Sequence, residues 1–347
     1  MPGGSVARAT PQNEDVAWVE HALLALDEPS VARVRPALDW LRRRSSGGRP
    51  SLRLLREYLF HELAVQPAGD ARGAHEVAWA LGDLFAAAGL AEQAALCRAA
   101  ATHEVIAARL WTASFPGVPG EFWQPALEVV HRAADVPERA ALSLASAHAL
   151  IATVGDGLTL TTAGRLPRAT VEALDDRFRW TEEFPWMDAA EESSIAPLLF
   201  LHEHLLSQGL LVRDGRELTA TAEGTACLAD TGRLWRAVVG PQPRWVGEFD
   251  RDALGVMAAS LLRTPELTIS RVAEEMTHVL AGKWRPSGAA TGATVFDGAF
   301  LVAQAWYQIG VPLGWWDSGR GPADRRPNAW GHAAAAAMFR SVAAARR

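Results

Sequence analysis

Two stretches sixty residues apart repeat one another, and this repeat limits the possible folds more than any other feature of the chain. "LIATVGDGLTLTTAG" (150–164) aligns with "LLVRDGRELTATAEG" (210–224), with identity at Leu150/Leu210, Gly155/Gly215, Leu158/Leu218, Thr159/Thr219, Thr161/Thr221 and Gly164/Gly224. The glycines permit a positive φ at a hairpin turn and where the chain leaves a strand. The threonines favour an extended, half-exposed strand. Each copy follows an apolar helical stretch, so the repeat predicts two units, each a helix followed by a short β-hairpin. A looser third copy is expected over 301–316 and 326–339, where a helix meets Gly310 and an apolar step precedes a second helix.

The first hundred residues carry only helical periodicity. Val16, Val19, Leu23 and Leu26 fall on one face, as do Val31, Val34, Leu38 and Leu41, with Pro36 a kink or restart. Ser51 is placed to cap the helix striped by Leu52, Leu55, Leu59 and Leu63, and Gly89 to end the helix of Val77, Leu81, Leu84 and Phe85. A further helix is expected from about Glu92 to Trp111. "FPGVPG" (115–120) is the first strong boundary, and "GPQPR" (240–244) the second. Asp135 and Glu138 form a capping-box pattern before a helix reaching Leu150. Thr268 is expected to cap a helix with Ile269, Val272, Met276, Val279 and Leu280 on one face, and 285–294 to form a loop. The expected architecture is mainly α: a helical N-terminal domain (1–115), two hairpin-bearing repeats (116–240) and a third, degenerate one (241–347).

Composition excludes several classes. A hydrophobic content of 49% against 21% charged residues describes a globular chain with ample core, not a disordered one. No run approaches the roughly 20 apolar residues that span a bilayer, so no membrane partner is expected. The opening "MPGGSVARATPQNEDVAW" lacks the basic cap and apolar core of a secretory signal, and a cytoplasmic location is the expectation. Cys97 and Cys227 belong to no CxxC pair, which argues against a metal or disulfide framework. Only one of the 34 basic residues, Lys283, is a lysine, so arginine by itself is no sign of phosphate binding. The 14 tryptophans are read mainly as core area with an N–H to satisfy.

The pattern L-x-x-x-G-L-[LIV], hairpin, L-T-x-x-x-G resembles the winged-helix superfamily, especially bacterial regulators of the MarR-like kind. It is carried by Leu205, Gly209, Leu210, Leu211, Leu218, Thr219 and Gly224, and more loosely by Leu150, Ile151, Leu158, Thr161 and Gly164. The likeness covers 137–234, and less closely 267–340; it also extends to high-GC bacterial proteins that string such modules behind a helical region. In winged-helix regulators the helix before the Leu-x-x-x-Gly step enters the major groove and the hairpin tip touches the backbone or minor groove. Many winged helices serve instead as protein-docking modules.

Chemistry on the chain disfavours DNA. A reading helix shows Arg, Lys, Asn, Gln or Ser to base edges and phosphates. The corresponding helix, "SIAPLLFLHEHLLSQG" (194–209), carries one formal charge, Glu203, and is apolar nearly all round. "PERAALSLASAHALI" offers a thin surface of Arg139, Ser143, Ser146 and His148. Residues 151–240 hold 8 arginines and no lysine against 14 carboxylates, a net of −6, whereas 241–347 carry +3. An acidic module is repelled by phosphate. If nucleic acid is bound, Arg213 and Arg216 at the second hairpin are its candidate contacts. Leu198, Leu201 and Leu205 are the candidate protein-interaction surface, with Trp315 and Trp316, which stand beside Asp317 and Arg320 either as an aromatic wall or as the seal of a core.

No catalytic constellation stands out. His202 and His204 lie two apart on a helix, the wrong spacing for a shared metal, and "FHELAV" (60–65) has Val65 where HExxH needs its second histidine. The acidic, aromatic segment 179–194 is read as a surface linker. No cofactor, metal or catalytic residue is expected. The leading reading is a non-catalytic protein whose modules bind a protein partner or a second copy. A DNA-binding regulator comes second, and third an enzyme whose site is assembled only by folding.

Overall fold

The computed structural model describes residues 14–45, 48–63, 71–131, 136–183, 191–240, 247–285, 294–317 and 325–344. Asp135 of the expected capping box, Val65, Arg320, and most of the 66–70, 184–190, 240–244 and 285–294 segments assigned as breaks or linkers lie outside the described residues. The fold is mainly α, with one small sheet. Among the described residues no helix is long and apolar enough to cross a membrane. Two compact units divide the chain: Met1–Ser114 with Ala343–Arg347, and Phe115–Val342.

The first unit is helical: α1 (Glu14–Leu23), α2 (Glu28–Arg44), α3 (Leu52–Glu57), α4 (Ala71–Ala87), α5 (Ala91–Arg98) and α6 (Ala100–Ala113). Asp27 caps α2 by accepting the Ser30 amide, and Ser51 caps α3 through the Leu54 amide. Pro36 does not restart a helix; α2 runs through it. The helix expected across 92–111 is instead two, because Ala99 takes an extended ψ of 135°. Thr102 Oγ1 donates to the Leu96 carbonyl at 2.6 Å, which stabilises that corner where no Gly or Pro marks it. α3 continues as one wide helical turn, Tyr58–Glu62. Leu38, Leu41, Leu55, Leu59, Leu81, Leu84, Phe85 and Ile106 are all buried in its core.

The second unit contains α7 (Gly120–His131), α8 (Ala140–Ser143), α9 (Ala145–Val154), β1 (Leu158–Thr159), α10 (Arg168–Phe178), α11 (Trp180–Glu183), α12 (Ala196–Ser207), β2 (Leu211–Asp214), β3 (Glu217–Ala220), α13 (Ala222–Ala229), α14 (Thr231–Val239), α15 (Glu248–Arg263), α16 (Ile269–Ala281), α17 (Val295–Gly310) and most of α18 (Ala329–Ala344). Its sheet corrects the expectation of a hairpin in each copy. The strands run in the order β1-β3-β2, all antiparallel, with Leu158 opposite Leu218 and Thr159 opposite Glu217. The two Leu-Thr pairs of the repeat are therefore neighbours in a single sheet. In the first copy the chain turns at Thr161–Arg165 after only two strand residues, so no second strand follows. A lone two-stranded hairpin is marginal, whereas the third strand, β1, pairs with the second edge of β3.

The C-terminal part of this unit has no Leu-Thr core. α17 ends in a turn, and Trp316 and Pro327 form an isolated antiparallel bridge before α18. That turn is joined to α8 and α9: Ser143 Oγ donates to the Leu313 carbonyl (2.7 Å) and Ser146 Oγ to that of Pro312 (2.6 Å).

Candidate interaction surface

In the order α9–β1–α10–α11–α12–β2–β3, α12 directly precedes the β2–β3 hairpin, the place that the sequence resemblance gives to a groove-reading helix. Its surroundings decide what it can touch. α12 packs against α17, β2 and α9. Leu198, Leu201 and Leu205 are each 0% exposed. These three candidate interaction residues are core residues, and this corrects their assignment to a docking surface: the face of α12 that carries them is buried in its own chain. Trp315 and Trp316 are also buried. Trp315 Nε1 donates to Ser143 Oγ (3.2 Å) and Trp316 Nε1 to the Tyr307 carbonyl (3.1 Å), while both rings pack on Trp306. They seal a core and form no ligand wall.

The polar side chains of α12 are consumed internally as well. His202 and Glu192 are each 1% exposed, and His202 Nδ1 donates to Glu192 Oε1 at 2.7 Å. Glu192 Oε2 accepts the Leu166 amide at 2.6 Å, so this carboxylate belongs to the core and not to the surface linker in which the sequence places it. His204 Nε2 donates to the Val238 carbonyl at 2.7 Å. The outward strip of α12 consists of half-buried Leu199, Phe200 and Leu206 beside Glu203, which pairs with Arg165 at 3.2 Å.

The hairpin arginines fold back on the module. Arg216 donates from Nε and Nη2 to the Leu160 carbonyl (3.0 and 2.9 Å), fastening the end of β1 to the hairpin. Arg213 Nε donates to the Gly215 carbonyl at 2.9 Å, and its guanidinium lies against Gly164. Ser143 and Ser146, the thin reading surface of the first copy, are tied to the turn after α17.

Apolar surface is exposed elsewhere. On α17, Phe296, Phe300 and Leu301 are 43%, 37% and 67% exposed, while Ala299, Val302, Ala303 and Trp306 face inward. Phe296 and Phe300 stack one turn apart with centroids separated by 6.0 Å. The nearest carboxylate, Asp297, is held in a capping box with Thr294, which keeps it below the usual aspartate range. Val212 on β2 is half exposed too.

An open cleft of about 430 Å³ lies between the 116–122 turn and the α15–α16 pair. Its ionisable groups are Glu121, Arg263, Glu275 and His278. Arg263 is taken up by Glu275 at 2.5 Å and lies over the Phe122 ring at 5.2 Å. Beside it, buried Asp252 holds Lys283 at 2.7 Å and accepts the Trp284 indole N–H at 2.9 Å. Among the described residues no group of three or more His, Cys, Asp or Glu is placed to hold a metal.

No protein family, curated protein or solved structure matches this chain.

Proposed function

We propose that this is a non-catalytic protein that binds a protein partner, and that its 145–220 region is a winged-helix-like module converted from a nucleic-acid reader into a structural element. One observation carries the reading: the inward face of α12, the helix in the reading position, is buried in its own chain, and α17 leaves Phe296, Phe300 and Leu301 exposed. A phosphate backbone is held by exposed cations, and this face has none of its own. Contiguous exposed aromatic and aliphatic side chains are the signature of contact with protein. The arginines that would serve DNA are engaged with backbone carbonyls. In the cleft, Arg263 is neutralised by Glu275, which fits a structural ion pair better than a catalytic group.

A photo-crosslinking residue at position 301, tested in the purified full chain and in cells of the source, distinguishes the readings. The expected outcome is a discrete protein adduct, a second copy or another chain, that disappears when Phe300→Glu is added. Adducts to DNA, or none above those of a crosslinker placed at exposed Glu172, would overturn the proposal.

A further inference from the structure

In the first unit, α4 and α6 bring two imidazoles together. His75 Nδ1 and His103 Nδ1 stand 2.9 Å apart, with ring centroids at 5.1 Å and planes tilted by 40°. At that distance two neutral imidazoles share one proton, one Nδ1–H donating to the other Nδ1 lone pair. The same separation is what two nitrogens have when they occupy adjacent, right-angled positions about 2.0–2.1 Å from one ion, whereas the wider tetrahedral angle of zinc sets them about 3.3 Å apart. Right-angled nitrogen and oxygen geometry belongs to copper(II) and nickel(II).

We propose that His75 and His103 form a two-imidazole binding site for a late divalent transition ion, copper(II) foremost. His103 is 6% exposed, while His75 is half-buried and is the side from which an ion would enter. The rings need only turn about their soft terminal torsions to aim both lone pairs at one point. The donor imidazole transfers its proton from Nδ1 to Nε2, both Nδ1 atoms coordinate, and no proton is released. Among the described residues no third His, Cys, Asp or Glu joins them, so the site supplies two imidazole nitrogens. Trp79, 48% exposed, stacks on His103 with centroids at 4.7 Å and planes at 21°, and covers one side.

Copper(II) chloride titrated into the full, tag-free chain tests this. Expected are one tightly held copper per chain, a paramagnetic resonance spectrum with coupling to two nitrogens, and quenching of tryptophan fluorescence that Trp79→Phe largely removes without loss of the ion. His75→Asn and His103→Asn, each with unchanged circular dichroism, should weaken binding at least tenfold. His75 is half-buried, so His75→Asn keeps the test decisive if His103→Asn does not fold. Absence of saturable one-to-one binding in the wild type, or binding unchanged by His75→Asn, would sink the proposal.

Discussion

Gly164 and Gly224 occupy matching places in the repeat and do different work. Gly164 has φ +73° and the Arg213 guanidinium against it, whereas Gly224 lies where a Cβ would collide with the Leu210 carbonyl oxygen. That contact is backbone against backbone, with no flexible side chain to give way. Gly224→Ala should therefore cost about 1–3 kcal/mol, read as a lower urea midpoint with an unchanged slope. A second residue-scale effect is set by pH. Burial lowers the His332 pKa below the ordinary histidine value, with a backbone hydrogen bond to Pro327 partly opposing it. Between the lowered folded value and the ordinary one, the unfolded chain binds more protons, so stability rises with pH there. The contribution is fully present above the ordinary histidine range and is lost as the pH falls through it toward the folded value. His61 is lowered in the same direction, by burial and then by Arg109. Urea midpoints between about pH 5 and about pH 8 should fall on the acid side, and His332→Gln should flatten that fall.

At the scale of elements, the repeat encodes strands that pair with each other. β1 has only two residues and borrows its stability from β3 and from Arg216, which donates twice to the Leu160 carbonyl just past its end. Arg216→Ala should destabilise the chain by about 1 kcal/mol, while Arg213→Ala, whose hydrogen bond is local and exposed, should stay within about 0.5 kcal/mol of wild type. Paired thermal or urea melts of the two variants check the contrast; equal losses would mean that the clamp on β1 contributes nothing. Helix identity and faces were legible in sequence wherever periodicity was clean. The stripe of α16 is buried as read, those of Leu55, Leu59 and Leu63 and of Leu81, Leu84 and Phe85 are buried with Leu52 and Val77 half-buried at their starts, and Ser51 sits where its cap was placed. The break at Ala99 was not legible, because it depends on a long-range fit and has no Gly or Pro to announce it.

For the molecule as a whole, charge and enclosure point the same way. Residues 151–240 are net acidic, and α12, the helix that the resemblance would send into a groove, packs against α17. Duplex DNA should not be retarded by the full chain in a low-salt mobility-shift assay; retardation that weakens steeply with added salt would restore the nucleic-acid reading. Exposed apolar area lies on α17, a helix the sequence presented only as part of a degenerate third copy. Phe296, Phe300 and Leu301 could not be picked out beforehand, because Ala299, Val302, Ala303 and Trp306 are equally apolar. Only packing shows which side of such a helix is spare.

The order of residues alone determined the local matters: where most helices form, that Ser51 caps one of them, that Leu158–Thr159 and Leu218–Thr219 belong to strands, and that the chain is mainly α; Thr268, placed as a cap as well, makes no capping hydrogen bond. Those properties follow from spacing and backbone preference within a few turns of chain. Tertiary structure decided whether two hairpins or one sheet would form, and whether an apolar helix met a partner or its own α17. It also decided that Glu192 and His202 are buried together and that exposed Arg216 folds back onto the Leu160 carbonyl. Such choices depend on which distant segments compete for the same buried area and the same hydrogen bonds, and a linear pattern carries no record of that competition.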